Sequence, residues 1–314
     1  MFIYILRRVA FAILVLLSVS ALTFALGRVA PGDPVETFLA GVQNPTPEEV
    51  QLAREALGLD RPMAVQYITW LTGILRGDFG VSYSTHQPIS QEIGLRLPAT
   101  LLLMAGALAV MLAVGFLFGI TSALRQDRAP DYLVRLFHIV AISIPAFCVG
   151  VFLTLLFSVH LQWLPIVGAI SLPRLILPAL TIGLGAGAGF SRLVRAEVIA
   201  ALQREHVQAA VVFGVSRRRV FLNHVLKNAM PPMVTSIGLF IGAMLGGSAI
   251  IETLFSWPGI GAYAVEAIFA RDYPVIQAYA LLMAAIYIGI NLLTDVVNCV
   301  LAPATGVLEV GGHG

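Results

Sequence analysis

The histidines, cysteines and carboxylates are the side chains of this sequence that could do chemistry or hold a metal ion. The histidines have no spacing that is typical of metal ligands, so we expect each of them to be a structural residue. Cys148 and Cys299 lie inside long apolar runs, which indicates no disulfide framework. No nucleophile and base occur together in the apolar stretches, so we predict neither a catalytic site nor a metal site. The six histidines are His86, His138, His160, His206, His224 and His313.

Two carboxylates, Glu252 and Asp295, lie closest to long apolar runs. A charged group inside a membrane is costly, so such a residue is by default a candidate for the path of a transported solute. Blander interpretations stay open for both. Glu252 stands at the end of its run, where water reaches it, and Asp295 has Asn291 and Asn298 within one helical turn as partners for a polar network.

A glycine-rich run, Gly183-Leu-Gly185-Ala-Gly187-Ala-Gly189, superficially resembles a dinucleotide-binding loop. No predicted strand precedes it and it lies in an apolar stretch, so small residues that allow close helix packing explain it better. The same holds for Gly115-x-x-x-Gly119 and Gly242-x-x-x-Gly246. The sequence has no P-loop pattern, and its only lysine, Lys227, is followed by Asn228. We therefore expect no ATP binding by a P-loop and no cofactor bound to this chain.

The composition predicts that these residues are held by membrane helices. Of 314 residues, 58% are hydrophobic and 11% are charged, and the mean hydropathy is +0.90. Soluble chains average roughly 45–50% apolar and about 25% charged residues, so much of this surface must face lipid. A net charge of +2 is too small to indicate a nucleic-acid partner. We predict an all-α integral membrane protein with six spans, at Val9–Leu26, Ala99–Leu124, Leu133–Val159, Ile176–Val194, Met233–Ile251 and Val275–Leu301.

The lysines and arginines set the orientation, because cytoplasmic segments carry an excess of them. With the N-terminus inside, twelve of the nineteen are cytoplasmic, and five of the other seven lie in one long outside segment. Arg7 and Arg8 precede the first span, but its apolar run is too long for a signal peptide, so we interpret it as a retained anchor. We predict both termini inside, with a first helix at 1–27, an outside segment at 28–97, a membrane core at 98–302 and a cytoplasmic tail at 303–314.

The outside segment contains a clear signal for a short helix. Thr46 suits the N-cap and Pro47 the first helical position, and two glutamates follow in the first turn. Gly58 is a fitting residue just past the C-terminal end. We therefore predict an external helix that ends at Leu57.

The cytoplasmic segment between the fourth and fifth spans holds most of the inside charge. Gln203–Phe213 is predicted as a short helix with small side chains on one face, and Gly214 ends it. Arg217–Asn228 is predicted as a second, basic helix that leads to Pro231-Pro232. One interpretation is an amphipathic connector on anionic lipid headgroups. The other is a helix hairpin that inserts small side chains into a groove on a cytoplasmic partner, which the alanines and the glycine favour.

The loop between the last two spans is rich in aromatic and turn-forming residues. Trp and Tyr favour the membrane interface, and Pro-Gly builds a tight turn. One interpretation is an ordinary re-entrant loop at the interface. The other is a gate at the external mouth of a pathway, where an external partner makes contact. The residues of this gate are Trp257, Pro258, Gly259, Arg271 and Asp272.

Short motifs follow one another along nearly the whole chain: Leu6-Arg7-Arg8, Pro31-Gly32-Asp33-Pro34, Leu57-Gly58-Leu59-Asp60-Arg61-Pro62, Gly77-Asp78-Phe79-Gly80, Leu97-Pro98-Ala99-Thr100, Ser143-Ile144-Pro145, Trp163-Leu164-Pro165, Trp257-Pro258-Gly259 and Arg271-Asp272-Tyr273-Pro274. In this order they resemble the permease subunits of bacterial dipeptide, oligopeptide and nickel ATP-binding-cassette (ABC) importers, of the B-subunit type. So many ordered matches make a chance resemblance negligible.

The resemblance implies the transmembrane domain of a type I ABC importer in the bacterial inner membrane. It implies as partners a second homologous permease, two cytoplasmic ABC ATPases, an external solute-binding protein and membrane lipid. ATP and Mg²⁺ belong to the ATPases in such an assembly, so this chain is expected to be a non-catalytic subunit. It is expected to form half of the translocation pathway and to work by alternating access.

The resemblance also identifies Gln203–Pro232 as the ATPase-coupling loop. The family motif has an acidic residue, two small residues, a glycine and a distant proline. Gln208 stands at the acidic position, which departs from the broader pattern. The coupling residues that the resemblance implies are Gln203, His206, Gln208, Ala209, Ala210, Gly214, Arg218, Arg219 and His224.

A few positions address the substrate. Ala267–Gln277 resembles the nickel branch of the family, Ala278 stands where peptide permeases usually have glycine, and Asn298 stands where they commonly have tyrosine. We therefore expect nickel or a metallophore complex as the cargo, with a dipeptide or oligopeptide as the alternative. A second alternative is an ATP-independent channel or carrier.

Overall fold

The computed structural model describes residues 2–29, 33–39, 42 and 44–301, and the regular structure in these residues is almost entirely helical. The tail predicted at 303–314 and the first two residues of the Pro31–Pro34 motif lie outside them. The α-helices are α1 Phe2–Val29, α2 Pro34–Phe38, α3 Pro47–Ala56, α4 Met63–Leu75, α5 Ile89–Leu124, α6 Ala129–Ser143, α7 Ala146–Thr154, α8 Leu172–Leu202, α9 Glu205–Val212, α10 Arg217–Val220, α11 Lys227–Leu254, α12 Ile260–Ala270 and α13 Tyr273–Leu301, and two π-helical segments are Leu155–His160 and Phe221–Leu226.

Within the described residues, five helical runs are long and apolar enough to cross a membrane, and there are six if a bent helix pair is counted as one span. The five runs contain α1, α5, α8, α11 and α13, and each encloses one predicted span. The third predicted span, Leu133–Val159, is broken: α6 and the helix that begins with α7 meet at 99°. The structure thus confirms a multi-pass helical membrane protein and adds a sharp bend.

The bend lies at Ile144 and Pro145. A proline ring disfavours helical backbone at the residue before it, and Ile144 is accordingly extended, with φ −98° and ψ 123°. Pro145 then stands directly before the first residue of α7, at φ −57° and ψ 140°. Because the side chains on both sides of the break are apolar, hydropathy alone gives one continuous span.

The external helix predicted between Thr46 and Leu57 is confirmed as α3. The Thr46 backbone N–H donates to Glu49 Oε2 at 2.7 Å, and the Glu49 N–H donates to Thr46 Oγ1 at 3.3 Å, which is a capping box. Hydrogen bonds from the backbone and side chain of Thr46 lower the pKa of Glu49 below its ordinary value. Gly58 ends the helix at φ +63°, as expected.

The second cytoplasmic helix differs from the prediction because it does not end near the prolines. Residues Arg217–Leu254 form one helical run of 38 residues that contains Pro231 and Pro232. A proline removes one backbone donor and crowds the preceding turn. Membrane helices tolerate this through local π-helical adjustments, and the segment Phe221–Leu226 is such a wide turn directly upstream.

The contacts divide the chain into two compact units. The first unit is Met1–Leu101 with Ser256–Ile288, and the second unit is Leu102–Phe255 with Gly289–Gly314. The core of the first unit contains Ile89, Ile260, Tyr263 and Val275 among its buried residues. In the second unit α8 is the central helix, and it packs against α6, α7 and α11.

Small residues let α8 approach α5 within the second unit. A Cβ atom at Gly183 would lie 2.7 Å from the Ala107 carbonyl oxygen, and one at Gly119 would lie 2.7 Å from the Ser191 carbonyl oxygen. Both positions therefore require glycine for close packing, as predicted for the glycine-rich run. A Cβ atom at Gly246 would meet nothing within 4 Å, so the same explanation does not extend to that position.

Candidate functional site

The cytoplasmic hairpin begins almost without interruption after a membrane-spanning helix. α8 ends at Leu202 and α9 begins at Glu205, two residues later than predicted. Val207 is buried, Ala209 and Ala210 are half-buried, and Gln208 is exposed. One face of α9 thus packs on the rest of the second unit. The predicted coupling residue Gln208 lies on its exposed face, and the predicted coupling residues Ala209 and Ala210 are partly accessible.

Gly214 makes the turn of the hairpin. It has φ +77°, and its N–H donates to the Val211 carbonyl oxygen at 3.0 Å. The next N–H, that of Val215, donates to the Ala210 carbonyl oxygen at 3.1 Å, which completes a Schellman motif. A Cβ atom at position 214 would meet nothing within 4 Å. The glycine is therefore required by backbone conformation and not by lack of space.

Asn228 ties the two sides of the hairpin together. Its Nδ2 donates to the His224 carbonyl oxygen at 2.6 Å and lies 3.0 Å from His206 Nε2. Arg204 Nη1 donates to Asn228 Oδ1 at 3.3 Å. Two predicted coupling residues on different helices, His206 and His224, are thereby held by one amide.

The tip of the hairpin is apolar and exposed. Val212 is 83% exposed and Phe213 is 85% exposed. Arg218 and Arg219 follow the turn and are also exposed. An exposed apolar knob beside a cluster of positive charges is typical of a surface that a partner covers. The arrangement can dock another protein, and it brings together the residues that the sequence resemblance assigned to the coupling loop.

The outer loop between α11 and α12 is held from within the first unit. Trp257 is 1% exposed, and its Nε1 donates to the Ala99 carbonyl oxygen at 2.8 Å. The Ile260 N–H donates to Thr100 Oγ1 at 2.9 Å. Leu97-Pro98-Ala99-Thr100 and Trp257-Pro258-Gly259, two motifs singled out in the sequence, therefore bind each other.

Asp272 holds a second outer segment of the first unit. Its side chain is fully buried, and its Oδ2 accepts hydrogen bonds from Ser82 Oγ at 2.6 Å, from Ser84 Oγ at 2.8 Å and from the Ser84 N–H at 3.0 Å. Of the five residues predicted for an external gate, Trp257, Gly259 and Asp272 are buried, whereas Pro258 and Arg271 are exposed. Only the last two offer side chains to an external partner in this arrangement.

The two pathway candidates have different surroundings. Glu252 on α11 is fully buried, so the interpretation that water reaches it at the end of its helix does not hold. Asp295 on α13 is half-buried. The predicted polar network in this region includes Asn298, whose Nδ2 donates to Thr235 Oγ1 on α11 at 2.8 Å.

Sequence reasoning missed Asp131, a fully buried carboxylate of the second unit that accepts several hydrogen bonds. Arg195 donates to both of its oxygens at 2.9 Å, and Arg135 Nη2 donates to Oδ2 at 2.6 Å. Ser122 Oγ and the Asp127 N–H donate to it as well. The available signal was an aspartate just before an apolar run in a basic segment, but its main partner, on α8, is distant in sequence.

Known proteins provide an independent comparison for this chain. Residues 115–307 match the family described as binding-protein-dependent transport system inner membrane component, and residues 1–104 match the N-terminal family of such membrane components. The glutathione transport system permease protein GsiC of Salmonella paratyphi A is 40% identical over 301 residues, which cover 96% of this chain and 98% of that protein. GsiC of Escherichia coli (strain K12) is 39% identical with the same coverage.

A solved structure supports the fold. A chain of the MetNI methionine ABC transporter, in an inward-facing conformation, has a TM-score of 0.50 and 16% identity, and the match covers 65% of this chain and 98% of that chain. The likeness concerns the fold alone, which is that of a type I ABC importer permease. The family matches and the long relatives decide the rest: this chain belongs to the binding-protein-dependent transport system inner membrane component family, as a non-catalytic, multi-pass permease subunit of an inner-membrane ABC importer of the dipeptide, oligopeptide and nickel branch.

Proposed function

We propose that this permease imports small peptides, with glutathione and similar short peptides as the substrate class. The observation that supports this proposal is the 40% identity to a glutathione transport system permease over 301 residues, nearly the full length of both chains. Similarity of that extent covers the spans, the outer segment and the cytoplasmic hairpin together, so it weighs more than any local motif.

The peptide proposal replaces the preference for nickel or a metallophore. That preference rested on the run Ala267–Gln277 and on Ala278 and Asn298. In the structure Ala278 is a buried residue of the first unit and Asn298 donates a hydrogen bond to Thr235, so packing alone accounts for both residue types.

The mechanism we propose is alternating access driven by separate ATPases. ABC importers of this family work with ATPases and an external binding protein, and we propose two ATPases and one homologous permease as the partners of this chain. Each side of the hairpin is joined closely to a spanning helix: α9 follows α8 after two residues, and the other side is part of the continuous run Arg217–Leu254. A push on the tip at Val212 and Phe213 would therefore act on two spans at once.

Fewer residues of the predicted gate are available for contact with an external partner than the sequence indicated. Pro258 and Arg271 are the exposed members of the predicted gate, and we assign them to contact with the external binding protein. Asp295 remains the candidate for a pathway-lining carboxylate, since Glu252 is fully buried.

The test is the cargo of the cognate binding protein together with energised uptake. We expect mass spectrometry of the purified binding protein to find a short peptide. Proteoliposomes that contain both permeases and the ATPases should take up radiolabelled glutathione only with ATP and the binding protein. A binding protein that carries nickel or a metal chelate, found by elemental analysis, would contradict the substrate proposal. Uptake that continues without ATP would instead support a channel or carrier.

A further inference from the structure

A cavity of about 310 Å³ lies in the first unit, at the end of α1 that faces outside. Its walls come from that end of α1, the turn after α3, the helix α4, the segment around Tyr83 and the start of α13. Small-molecule sites typically have about 300–1,000 Å³, so the cavity is large enough for one short peptide. The side chains that matter for its chemistry are Phe24, Arg28, Arg61, Gln66, Trp70 and Tyr83.

The polar wall of this cavity is cationic. Arg28 and Arg61 both line it, and no aspartate or glutamate is among its lining residues. An adjoining cavity that shares Arg28, Arg61 and Gln66 is lined, among the described residues, by one acid, Asp33, which pairs with Arg54. Within the described part of the chain, neither arginine has an ion-pair partner. A nearby arginine, Arg54, differs in this respect, because it pairs with Asp33 at 2.6 Å. Two unpaired guanidinium groups facing one cavity favour an anionic ligand, and guanidinium matches the geometry of a carboxylate.

The arginine at the end of α1 is held in place. The Cζ atom of Arg28 lies 5.2 Å from the ring centroid of Phe24, at a cation–π distance, and Phe24 lies 5.7 Å from Trp70. Arg28 is half-buried, where an interaction with a carboxylate is stronger than in open water. Burial raises the pKa of Tyr83 above its ordinary value, so its hydroxyl stays protonated and available as a donor.

A hydrogen-bond acceptor stands beside these cations. Gln66 lines the cavity, and its Nε2 donates to the carbonyl oxygens of Arg61 at 2.6 Å and of Leu59 at 3.3 Å. These bonds leave its Oε1 as a buried acceptor with no partner. An anion without donors, such as sulfate, makes no hydrogen bond to this acceptor, whereas a peptide brings N–H groups together with its carboxylate. The aromatic walls suit the apolar parts of such a ligand.

We propose that this cavity binds the carboxylate end of a short peptide. Arg28 and Arg61 bind the carboxylate, and Gln66 Oε1 accepts a peptide N–H. The inference rests on the proposed peptide import and deepens it, since it places a substrate subsite on the outer side of this chain, before the membrane path. The same carboxylate chemistry could come from an acidic side chain of the binding protein, and the experiment separates the two sources.

The experiment measures equilibrium binding of radiolabelled glutathione to the complete transporter assembly in lipid nanodiscs, without binding protein and without nucleotide. We expect Arg28→Gln and Arg61→Gln each to weaken binding about tenfold or more, because each removes a charge-assisted interaction. Arg76→Gln is the matched control: Arg76 is exposed, belongs to the same unit and does not line the cavity. Glutathione diethyl ester, which lacks free carboxylates, should bind poorly, and sulfate, which has no hydrogen-bond donor, should not compete.

The result that overturns the inference is equal glutathione affinity in Arg28→Gln, Arg61→Gln and Arg76→Gln assemblies of normal size and yield. A second result would also overturn the inference. In it the unmutated assembly does not bind glutathione, and the Arg28→Gln and Arg61→Gln assemblies capture the ligand-free binding protein more weakly. The arginines would then be assigned to a carboxylate of the binding protein. Measuring glutathione uptake by the unmutated assembly distinguishes failure of the subsite proposal from failure of the proposed peptide import. ATP-dependent glutathione uptake with unchanged binding in the variants contradicts the subsite alone, and failure to import any short peptide contradicts both.

Discussion

Asp131 and Asp272 are both fully buried carboxylates, and each is surrounded by donors. Asp131 receives two arginines in the second unit, and Asp272 receives two serines in the first unit. Removing a carboxylate from water is costly unless hydrogen bonds replace its hydration. They do so for both oxygens of Asp131 and for Oδ2 of Asp272, whereas Oδ1 of Asp272 is buried with no hydrogen-bond partner among the described residues. At Asp131 and Asp272 the buried acid therefore marks a point that holds helices or loops together.

The first prediction concerns Asp131. Asp131→Asn removes the charge that pairs with Arg195, whose side chain is only 20% exposed, so it leaves a mostly buried cation unpaired. Breaking a buried pair in this way costs about 3 kcal/mol or more, and the midpoint of thermal unfolding in detergent should fall by several degrees.

Asp127→Asn is its matched control. Asp127 pairs with Arg135 at 3.0 Å but has a side chain that is 63% exposed. A pair of that kind contributes about 0–1 kcal/mol. Equal midpoints for the two variants, each compared with the unmutated chain, would show that the Asp131 cluster does not stabilise the second unit.

The second prediction concerns Gly214. Gly214→Val places a β-branched residue at φ +77° and should cost about 1–2 kcal/mol in the docking-competent turn. We expect ATP-dependent uptake to fall roughly tenfold while the amount of protein in the membrane stays the same. Gly214→Asn tests the cause, because asparagine tolerates this backbone region. It should retain most of the activity, and if both variants transport alike, the turn conformation is not what coupling requires.

Among the elements, the sequence predicts best what depends on local composition. Five spans and the external helix α3 follow from apolar runs and from Thr46, Pro47 and Gly58, and the sixth apolar run corresponds to the bent pair of α6 and the helix that begins with α7. The 99° bend was not predicted, because hydropathy averages over Pro145 and finds apolar residues on both sides. Asp131 was missed for a different reason, since Arg195 is brought to it only when α8 packs beside α6. The same limit applies to the cavity near Arg28, which several separate segments build.

The third prediction concerns the connection between α13 and the segment before α5. Asp272→Ala removes the acceptor that Ser82 Oγ, Ser84 Oγ and the Ser84 N–H share, so hydrogen bonds from all three donors are lost, at a cost of about 1–3 kcal/mol. We expect protease added from outside to cleave the segment 79–88 several times faster. Asp78→Ala is the control: Asp78 is exposed and accepts only a turn hydrogen bond from the Gly80 N–H at 2.9 Å. The same cleavage rate in both variants would contradict a clamping role for Asp272.

At the scale of the whole molecule, much of the spanning surface is not covered by the chain itself. In the most apolar stretch of α13 only 6% of the residues are buried, and in that of α1 only 11%. Such surface is completed by lipid or by another membrane protein, which is consistent with one permease of a pair.

The fourth prediction concerns assembly with the ATPases. Phe213→Asp puts a charge on the exposed tip of the hairpin, and we expect the ATPases to be lost from the purified assembly, because the partner groove would have to desolvate a carboxylate. Phe269→Asp is the matched control. Phe269 has the same exposure, 85%, but lies at the end of α12 in the first unit. Co-purification of ATPases at unchanged yield with Phe213→Asp would contradict the docking assignment.

The exposed tip at Val212 and Phe213 has a consequence for how the subunits must be produced. A copy that is made without its partners presents this apolar knob to the cytoplasm, where chaperones and proteases act on such surfaces. Since we propose that the ATPases cover this tip, we expect the cell to remove surplus copies and the steady-state amount of this chain to follow the supply of the ATPases. Expression of the gene alone should give a short-lived protein, and balanced co-expression should extend its lifetime.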